Sequence, residues 1–218
     1  MSRCKHDAPT TVDPIAAEVE ATPSRPDQTR RALLLTALAT GACVATSSVM
    51  AADEDAPGSD TRPQKSDLLV VSEGDRAGEI IKPDDLKAGG PPLRAWPKDP
   101  ASQVIRKGSR LNEILVIRLD PAELDDETRA SAADGIVAYS AICAHAGCPV
   151  TAWVKQDGGD KDVFKCVCHN SEYDPRHRAE VVFGPAPRRL AALPLAIANG
   201  SLVVAGPFIG KVGAQQGG

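Results

Sequence analysis

Apolar residues after position 68 come in short runs dominated by β-branched side chains. These runs have the length of strands and lack the three- and four-residue spacing of an amphipathic helix. Turn signals separate them, among them residues 157–160 (DGGD) and residues 199–200 (NG), the second typical of a hairpin. The pattern predicts an all-β, antiparallel domain with one short polar helix at residues 121–134. The predicted strands are residues 68–71, 113–119, 135–142, 163–167, 181–183, 193–197 and 202–204.

An uncharged segment stands near the N-terminus, at residues 32–52 (ALLLTALATGACVATSSVMAA). As a helix it would extend about 31 Å at ~1.5 Å per residue, close to the ~30 Å hydrocarbon core of a bilayer. The residues directly before it, Thr29-Arg30-Arg31, resemble a twin-arginine export signal. We predict a cytoplasmic segment at residues 1–31, then a single transmembrane anchor or cleaved signal helix at residues 32–52. The domain then lies outside the cytoplasm.

Between this segment and the first strand, residues 53–67 are rich in Asp, Pro, Gly and Ser and lack large apolar side chains. Such a composition cannot bury enough apolar surface to fold by itself. We therefore predict a flexible linker that would average about 20–25 Å from end to end. Residues 68–218 then form the folded domain.

Charge and length exclude some functions. The length of 218 residues leaves no room for a second catalytic domain. The formal net charge of −4 is small for this length. Because no basic cluster accompanies an aromatic platform, nucleic acid is not expected as a partner.

The chemistry is concentrated in two short stretches, residues 143–148 (CAHAGC) and residues 166–169 (CVCH). They contain four of the six cysteines and two of the four histidines. Zinc commonly takes four such ligands, two from each stretch, which would leave two groups over. Disulfides, or a division between metal and disulfide, are also compatible with this spacing. Zinc is disfavoured because thiols outside the cytoplasm tend to oxidise.

The two stretches resemble the Rieske iron–sulfur family, and more narrowly the Rieske subunits of cytochrome bc-type quinol:cytochrome c oxidoreductases. Residues 184–187 (GPAP) are similar to the proline loop of that family, so the cluster-binding loops lie at about residues 141–188. The family pattern C-x-H-x-G-C followed by C-x-C-H-x-S-x-Y is met by Cys143, His145, Gly147, Cys148, Cys166, Cys168, His169, Ser171 and Tyr173.

The resemblance implies a Rieske-type antiparallel β-sandwich or barrel with a small cluster-binding subdomain that holds a 2Fe-2S cluster. It also implies a disulfide between two of the cysteines and a second layer of residues around the cluster. By this resemblance the iron ligands are Cys143, His145, Cys166 and His169, the disulfide joins Cys148 to Cys168, Ser171 and Tyr173 donate hydrogen bonds to sulfur, and Gly184 and Pro185 cover the cluster.

The function that the resemblance implies is electron transfer from quinol to a c-type cytochrome. The chain would be the redox subunit of a respiratory complex with a cytochrome b, rather than an enzyme alone, at the bacterial inner membrane with its domain in the periplasm. His169 and His145 would face the quinol. An alternative is the Rieske small subunit of a periplasmic molybdenum oxidoreductase such as arsenite oxidase.

Two further observations limit the resemblance. A ring-hydroxylating oxygenase needs two more histidines and a carboxylate for a second iron. Only His6 and His177 remain, and neither has companion ligands nearby in the sequence, so we do not expect an oxygenase. Three residues depart from the bc-type pattern: Ala146 stands where a Leu is usual, Val167 replaces a Pro, and Asn170 replaces a Gly. The ligands are intact, so these changes concern the shape of the quinol-facing tip.

Overall fold

The computed structural model describes residues 56–214, which form ten β-strands and one short α-helix. The predicted all-β, antiparallel class is confirmed. The elements are β1 (Leu68–Val71), β2 (Leu93–Lys98), β3 (Ile114–Arg118), α1 (Asp126–Ser131), β4 (Ile136–Ser140), β5 (Ala152–Lys155), β6 (Asp162–Cys166), β7 (Ser171–Asp174), β8 (Glu180–Phe183), β9 (Leu195–Ala198) and β10 (Ser201–Val204).

The predicted membrane features concern residues before Ala56. The predicted export signal and the predicted span at residues 32–52 lie outside the described residues. Between residues 56 and 214, no helix is both long enough and apolar enough to cross a bilayer.

All seven predicted strands are present, whereas the predicted helix is shorter than expected. It consists of a 3-10 turn at Pro121–Glu123 and of α1, whose first turn is capped by the carboxylate of Asp125 accepting from the Thr128 N–H. The prediction missed β2, β5 and β7. Pro97 interrupts the apolar run of β2 and has no N–H to donate. It is tolerated because β2 pairs with β3 only through Leu93, Arg94 and Ala95.

Two sheets build the domain. The first has the strand order β4-β3-β2-β1-β10-β9, and the second is the meander β5-β6-β7-β8. Side chains of β3 alternate between two cores, as expected for a strand buried on both faces. Leu115 and Ile117 pack with Phe164 and Tyr173 of the second sheet, whereas Ile114 and Val116 pack among β1, β9 and β10 of their own curled sheet.

The second sheet positions the chemistry through its connections. Because its strands are antiparallel, the start of β5, the end of β6, the start of β7 and the end of β8 lie at the same end of the sheet. Three loops therefore meet there, and we call them loop 1 (residues 141–150), loop 2 (residues 167–170) and loop 3 (residues 184–187). Together with Cys166, the last residue of β6, they carry every candidate ligand named from the sequence.

Residues 56–67 are packed onto the first sheet, although they fall within the predicted linker. The Gly108 N–H donates to the Ser59 carbonyl at 3.0 Å, and Asn112 Nδ2 donates to the Thr61 carbonyl at 2.9 Å. Arg106 donates from Nε to the buried Asp67 carboxylate at 2.6 Å. The segment is polar in sequence but finds its partners on the domain, so the folded part extends at least to Ala56.

Replacing Arg106 by Met is expected to destabilise the domain by about 3–5 kcal/mol, because Asp67 would remain buried without its partner. Only 7% of the Arg106 side chain and 2% of the Asp67 side chain are exposed. The free energy of unfolding from denaturant titration measures the effect. The matched control is Lys155→Met, which removes an exposed pair with Asp162 at 3.6 Å and should cost less than about 1 kcal/mol. Equal costs would contradict this account of the segment.

Candidate metal centre

Loop 1 is a tight turn closed by its own backbone. The Cys143 N–H donates to the Cys148 carbonyl at 2.8 Å, and the Gly147 N–H donates to the Cys143 carbonyl at 3.0 Å. Gly147 has a φ of +73°, a conformation that glycine adopts without steric cost. These bonds hold Cys143, His145 and Cys148 on one short piece of rigid backbone.

Loop 2 is the hairpin turn between β6 and β7. Cys166 ends β6 and is paired in register with Ser171, the first residue of β7. Asn170 has a φ of +58°, and Asn is among the few side chains that tolerate this region, which explains how it can stand in place of a glycine. Cys166 is buried, whereas Cys168 and His169 lie exposed on the turn.

The two loops bring the histidines and cysteines together. The rings of His145 and His169 have centroids 4.6 Å apart and an interplanar angle of 82°. The sulfur atoms of Cys148, Cys166 and Cys168 lie within 4.8 Å of one another. All residues that the sequence singled out as candidate ligands thus face one point between loops 1 and 2.

The predicted disulfide between Cys148 and Cys168 is not seen in the structure, where both residues are free cysteines. The neighbouring Cys168 thiol raises the pKa of Cys148. A disulfide has a sulfur–sulfur bond of about 2.05 Å and forms by oxidation of such a pair. The two sulfurs lie within 4.8 Å of each other, so the bridge would require oxidation and a closer approach of the two side chains.

The donor set fits a bound metal group. Burial raises the pKa of the Cys166 thiol to about 12, and contact with Cys143 adds to the shift, so a thiolate here requires a nearby cation. His145 Nδ1 is buried and has no hydrogen-bond partner in the protein. A buried ring nitrogen without a partner is costly, and coordination of a metal would remove that cost.

Tyr173 connects β7 to loop 1. Its hydroxyl lies 3.1 Å from Cys143 Sγ and accepts from the Ala144 N–H at 3.3 Å. Since the oxygen is already an acceptor, its own hydrogen is free to point at the sulfur. Burial, together with the contact to Cys143, raises the pKa of Tyr173. The hydroxyl therefore remains a proton donor to the Cys143 sulfur.

Loop 3 covers loop 2 from the side. Ser171 is fully buried, and its hydroxyl accepts from the Ala186 N–H at 3.2 Å, which leaves the hydroxyl hydrogen available for a second partner. Gly184 has a φ of +89°. A Cβ at this position would lie 2.5 Å from the Asn170 carbonyl oxygen and 2.6 Å from Ser171 Cα. Loops 2 and 3 approach each other this closely because residue 184 is a glycine.

Replacing Gly184 by Ala is expected to cost about 2–4 kcal/mol of stability, because backbone strain and a backbone clash act together. Thermal unfolding measures the effect. The matched control is Gly158→Ala, at a φ of +75° with nothing within 4 Å of the added carbon, where only the strain of about 1 kcal/mol applies. Similar losses for both variants would show that the contact between loops 2 and 3 is not tight.

Arg188 is a positioning residue that the sequence reasoning missed. Its guanidinium donates to the carbonyl of Ala144, at 3.3 Å, and to the carbonyl of Gly213. Ala144 lies between Cys143 and His145, so Arg188 ties loop 1 to the C-terminal segment. The only local signal was a cation directly after the GPAP run, which by itself does not specify a contact 44 residues away.

Comparison with known proteins agrees with this geometry. Residues 104–194 match the family model "Rieske [2Fe-2S] domain". The "Cytochrome bc1 complex Rieske iron-sulfur subunit" of Mycobacterium tuberculosis (strain ATCC 25618 / H37Rv) is 32% identical over 150 residues, which cover 61% of this chain and 34% of that protein. The subunit of the same name from Streptomyces lividans is 36% identical over 102 residues, covering 46% of this chain and 58% of that protein.

A solved structure was also found, the soluble domain of the Rieske protein II (soxF) from Sulfolobus acidocaldarius. It has a TM-score of 0.32 and 21% identity, and the match covers 43% of this chain and 61% of that one. The chain spans between about a third and just over half the length of the curated relatives named above.

The paired Cys/His loops on an antiparallel β-domain define an iron–sulfur protein of the electron-transfer class. Residues 104–194 match the Rieske [2Fe-2S] domain, and the relatives named above are Rieske iron-sulfur subunits. Its cofactor is a 2Fe-2S cluster. The predicted family and cofactor are therefore confirmed.

Proposed function

We propose that Cys143 and Cys166 hold one iron of the cluster, and that His145 and His169 hold the other. One observation carries this proposal: the loops place the two imidazoles with their ring centroids 4.6 Å apart. The neighbouring Cys143 thiol contributes to the raised pKa of Cys166, which is consistent with two adjacent thiols. Each loop thus offers one thiolate and one imidazole. Cys148 and Cys168 would form the disulfide in an oxidising compartment.

We further propose that the domain accepts an electron and a proton from quinol. The cluster would supply one-electron redox chemistry at roughly −150 to +300 mV, the range of centres with two imidazole ligands. His169 is exposed on loop 2, so its outer ring nitrogen can hydrogen-bond a quinol hydroxyl and take up its proton. His145 is the second quinol-facing ligand. Gly184 and Pro185 of loop 3 would limit the access of water to the site.

The surroundings of His169 support docking of this end of the domain on another subunit. Val167, the first residue of loop 2, is 57% exposed, and Phe183, which pairs with Glu172 of β7, is 44% exposed. Exposed apolar side chains around a polar centre are typical of a surface that another protein covers. The proposed partners are a cytochrome b, which offers the quinol, and a c-type cytochrome, which receives the electron.

The proposed setting is a membrane respiratory complex of bacteria. The relatives are named as subunits of the cytochrome bc1 complex, and residues 32–52 have the length and apolar character of an anchor. We place the domain in the periplasm because of the twin-arginine pattern at residues 29–34.

The test is purification of the full chain with its native partners from membranes, followed by mass spectrometry and a quinol:cytochrome c reductase assay. The expected result is co-purification with a cytochrome b and reduction of cytochrome c that depends on quinol. Co-purification with a molybdenum-containing subunit, and no quinol oxidation, would overturn the proposal in favour of a relay subunit. A matched His169→Ala sample should lose the reductase activity while the partners are retained.

A further inference from the structure

A cavity of about 780 Å³ opens beside loop 1, at the side facing the C-terminal segment. Its walls come from four separated stretches, which are residues 62–64, residues 110–111, residues 146–147 of loop 1 and residues 207–214. We call this cavity the basic groove. Its volume matches pockets that hold whole organic ligands, which are about 300–1,000 Å³, and greatly exceeds what one small anion would fill.

The charged residues that line the basic groove are all positive. Arg62, Arg110 and Lys211 are among its lining residues, and no Asp or Glu is. All three cations are exposed. A fourth, Arg188, donates hydrogen bonds to the carbonyl of Gly213, which lines the groove, and to that of Ala144, which does not. Cations that converge from distant stretches repel one another in the free protein. A ligand with several negative charges would relieve this repulsion, whereas an uncharged ligand would not.

The three cations also differ in whether their side chains make hydrogen bonds that support the walls of the groove. Arg62 donates from Nη1 to the Leu111 carbonyl at 2.8 Å and so supports the wall itself. Arg110 approaches loop 1: a Cβ at Gly147 would lie 3.4 Å from its Nη2. Arg110 and Lys211 are therefore the residues whose charge can be removed with least effect on the walls.

The shape of the groove indicates the kind of ligand. It is open to solvent along one side, whereas sites for small molecules bury most of the ligand surface. A concave groove also makes poor contact with a flat bilayer, which binds exposed basic and apolar faces. An extended chain, by contrast, can lie in an open groove and continue beyond it. Apolar wall residues such as Leu111 and Phe208 can contact the non-charged part of such a chain.

We propose that the basic groove binds an acidic, extended segment of a partner protein. The segment would lie against Ala146 and Gly147 of loop 1, which follow the candidate ligand His145 in the chain. The inference rests on the proposed function, because a partner in the same complex would supply the segment. Peptide binding and electron transfer are measured separately, so either can fail while the other holds.

The experiment measures binding of a short fluorescein-labelled peptide of alternating Glu and Ala to the cluster-loaded full chain by fluorescence anisotropy. Binding is expected to weaken with rising salt. Arg110→Ala and Lys211→Ala should each weaken it about fivefold, and Arg110→Lys should restore most of the loss. The matched control is Lys87→Ala, an exposed cation outside the groove, which should leave the affinity unchanged. Circular dichroism and the EPR signal of the cluster establish that the variants fold and are loaded.

Several results would overturn the proposal. One is the absence of binding, and another is equal binding of the same peptide with Gln in place of Glu. Binding of anionic lipid vesicles that depends on Arg110 and Lys211, without peptide binding, would assign the groove to a membrane. Peptide binding that appears only after neutralising residues 53–55 (DED) would identify the chain's own acidic run as the ligand.

Discussion

Cys143→Ser is expected to abolish the EPR signal and the visible colour of the purified protein. If Cys143 is a thiolate ligand, its loss removes one of four protein ligands, and the harder oxygen of serine is a poorer ligand for an iron–sulfur cluster than a thiolate. Cys143 is buried, with its sulfur 3.1 Å from the Tyr173 hydroxyl, whereas Cys148, the other thiol on loop 1, has no such contact among the bonds of Tyr173. Iron analysis and EPR of the reduced protein give the result.

The matched variant for this prediction is the double substitution Cys148→Ser and Cys168→Ser, which removes the same type of group from the same two loops. It should retain the cluster signal and lose about 2–4 kcal/mol of stability if the pair forms a disulfide in the mature protein. The outcome that would contradict the proposed ligand set is an equal loss of iron in both cases. Such a result would indicate a centre built on the Cys148, Cys166 and Cys168 group of sulfurs.

Tyr173→Phe is expected to lower the midpoint potential of the cluster by roughly 40–80 mV. The hydroxyl lies 3.1 Å from Cys143 Sγ, and a hydrogen bond to a ligand sulfur favours the electron-rich reduced form. Its loss should cost that form about 1–2 kcal/mol, and ~1.4 kcal/mol corresponds to 59 mV for one electron. A redox titration followed by EPR or circular dichroism measures the shift.

Tyr139→Phe is the matched control, because Tyr139 is equally buried and its hydroxyl donates to the Pro175 carbonyl at 2.8 Å rather than to a cysteine. This variant should lose stability but keep its potential. If both variants shift the potential equally, the effect arises from general loosening of the core. If neither does, the Tyr173 hydroxyl is not bonded to the sulfur in the loaded protein.

The strands that were predictable from the sequence are those with continuous apolar character. β3 and β4 are buried on both faces, so their runs stand out. The strand β7 (SEYD) was missed because its acids are buried: Glu172 is fully buried and accepts from Lys165 Nζ at 2.8 Å. A polar strand of this kind is stabilised by partners on a neighbouring strand, which no local pattern reveals.

The N-terminal limit of the folded domain could not be predicted from amino-acid composition either. Residues 56–67 are polar and rich in turn formers, which predicted a linker, yet Asp67 is buried against Arg106, 39 residues away. Composition describes what a segment can bury by itself. It does not describe hydrogen bonds that the segment makes to a domain that is already folded.

The sequence by itself determined the class of this protein, the antiparallel β architecture and the identity of the candidate ligands. It could do so because the residues that carry the resemblance to the Rieske family lie within two short stretches, and because strand runs are local patterns. Only the tertiary structure decided what surrounds these residues. The contact of Tyr173 with Cys143, the clamp by Arg188 and the basic groove join residues that are distant along the chain. Their proximity depends on strand register and on the packing of the two sheets, which no single stretch of sequence encodes.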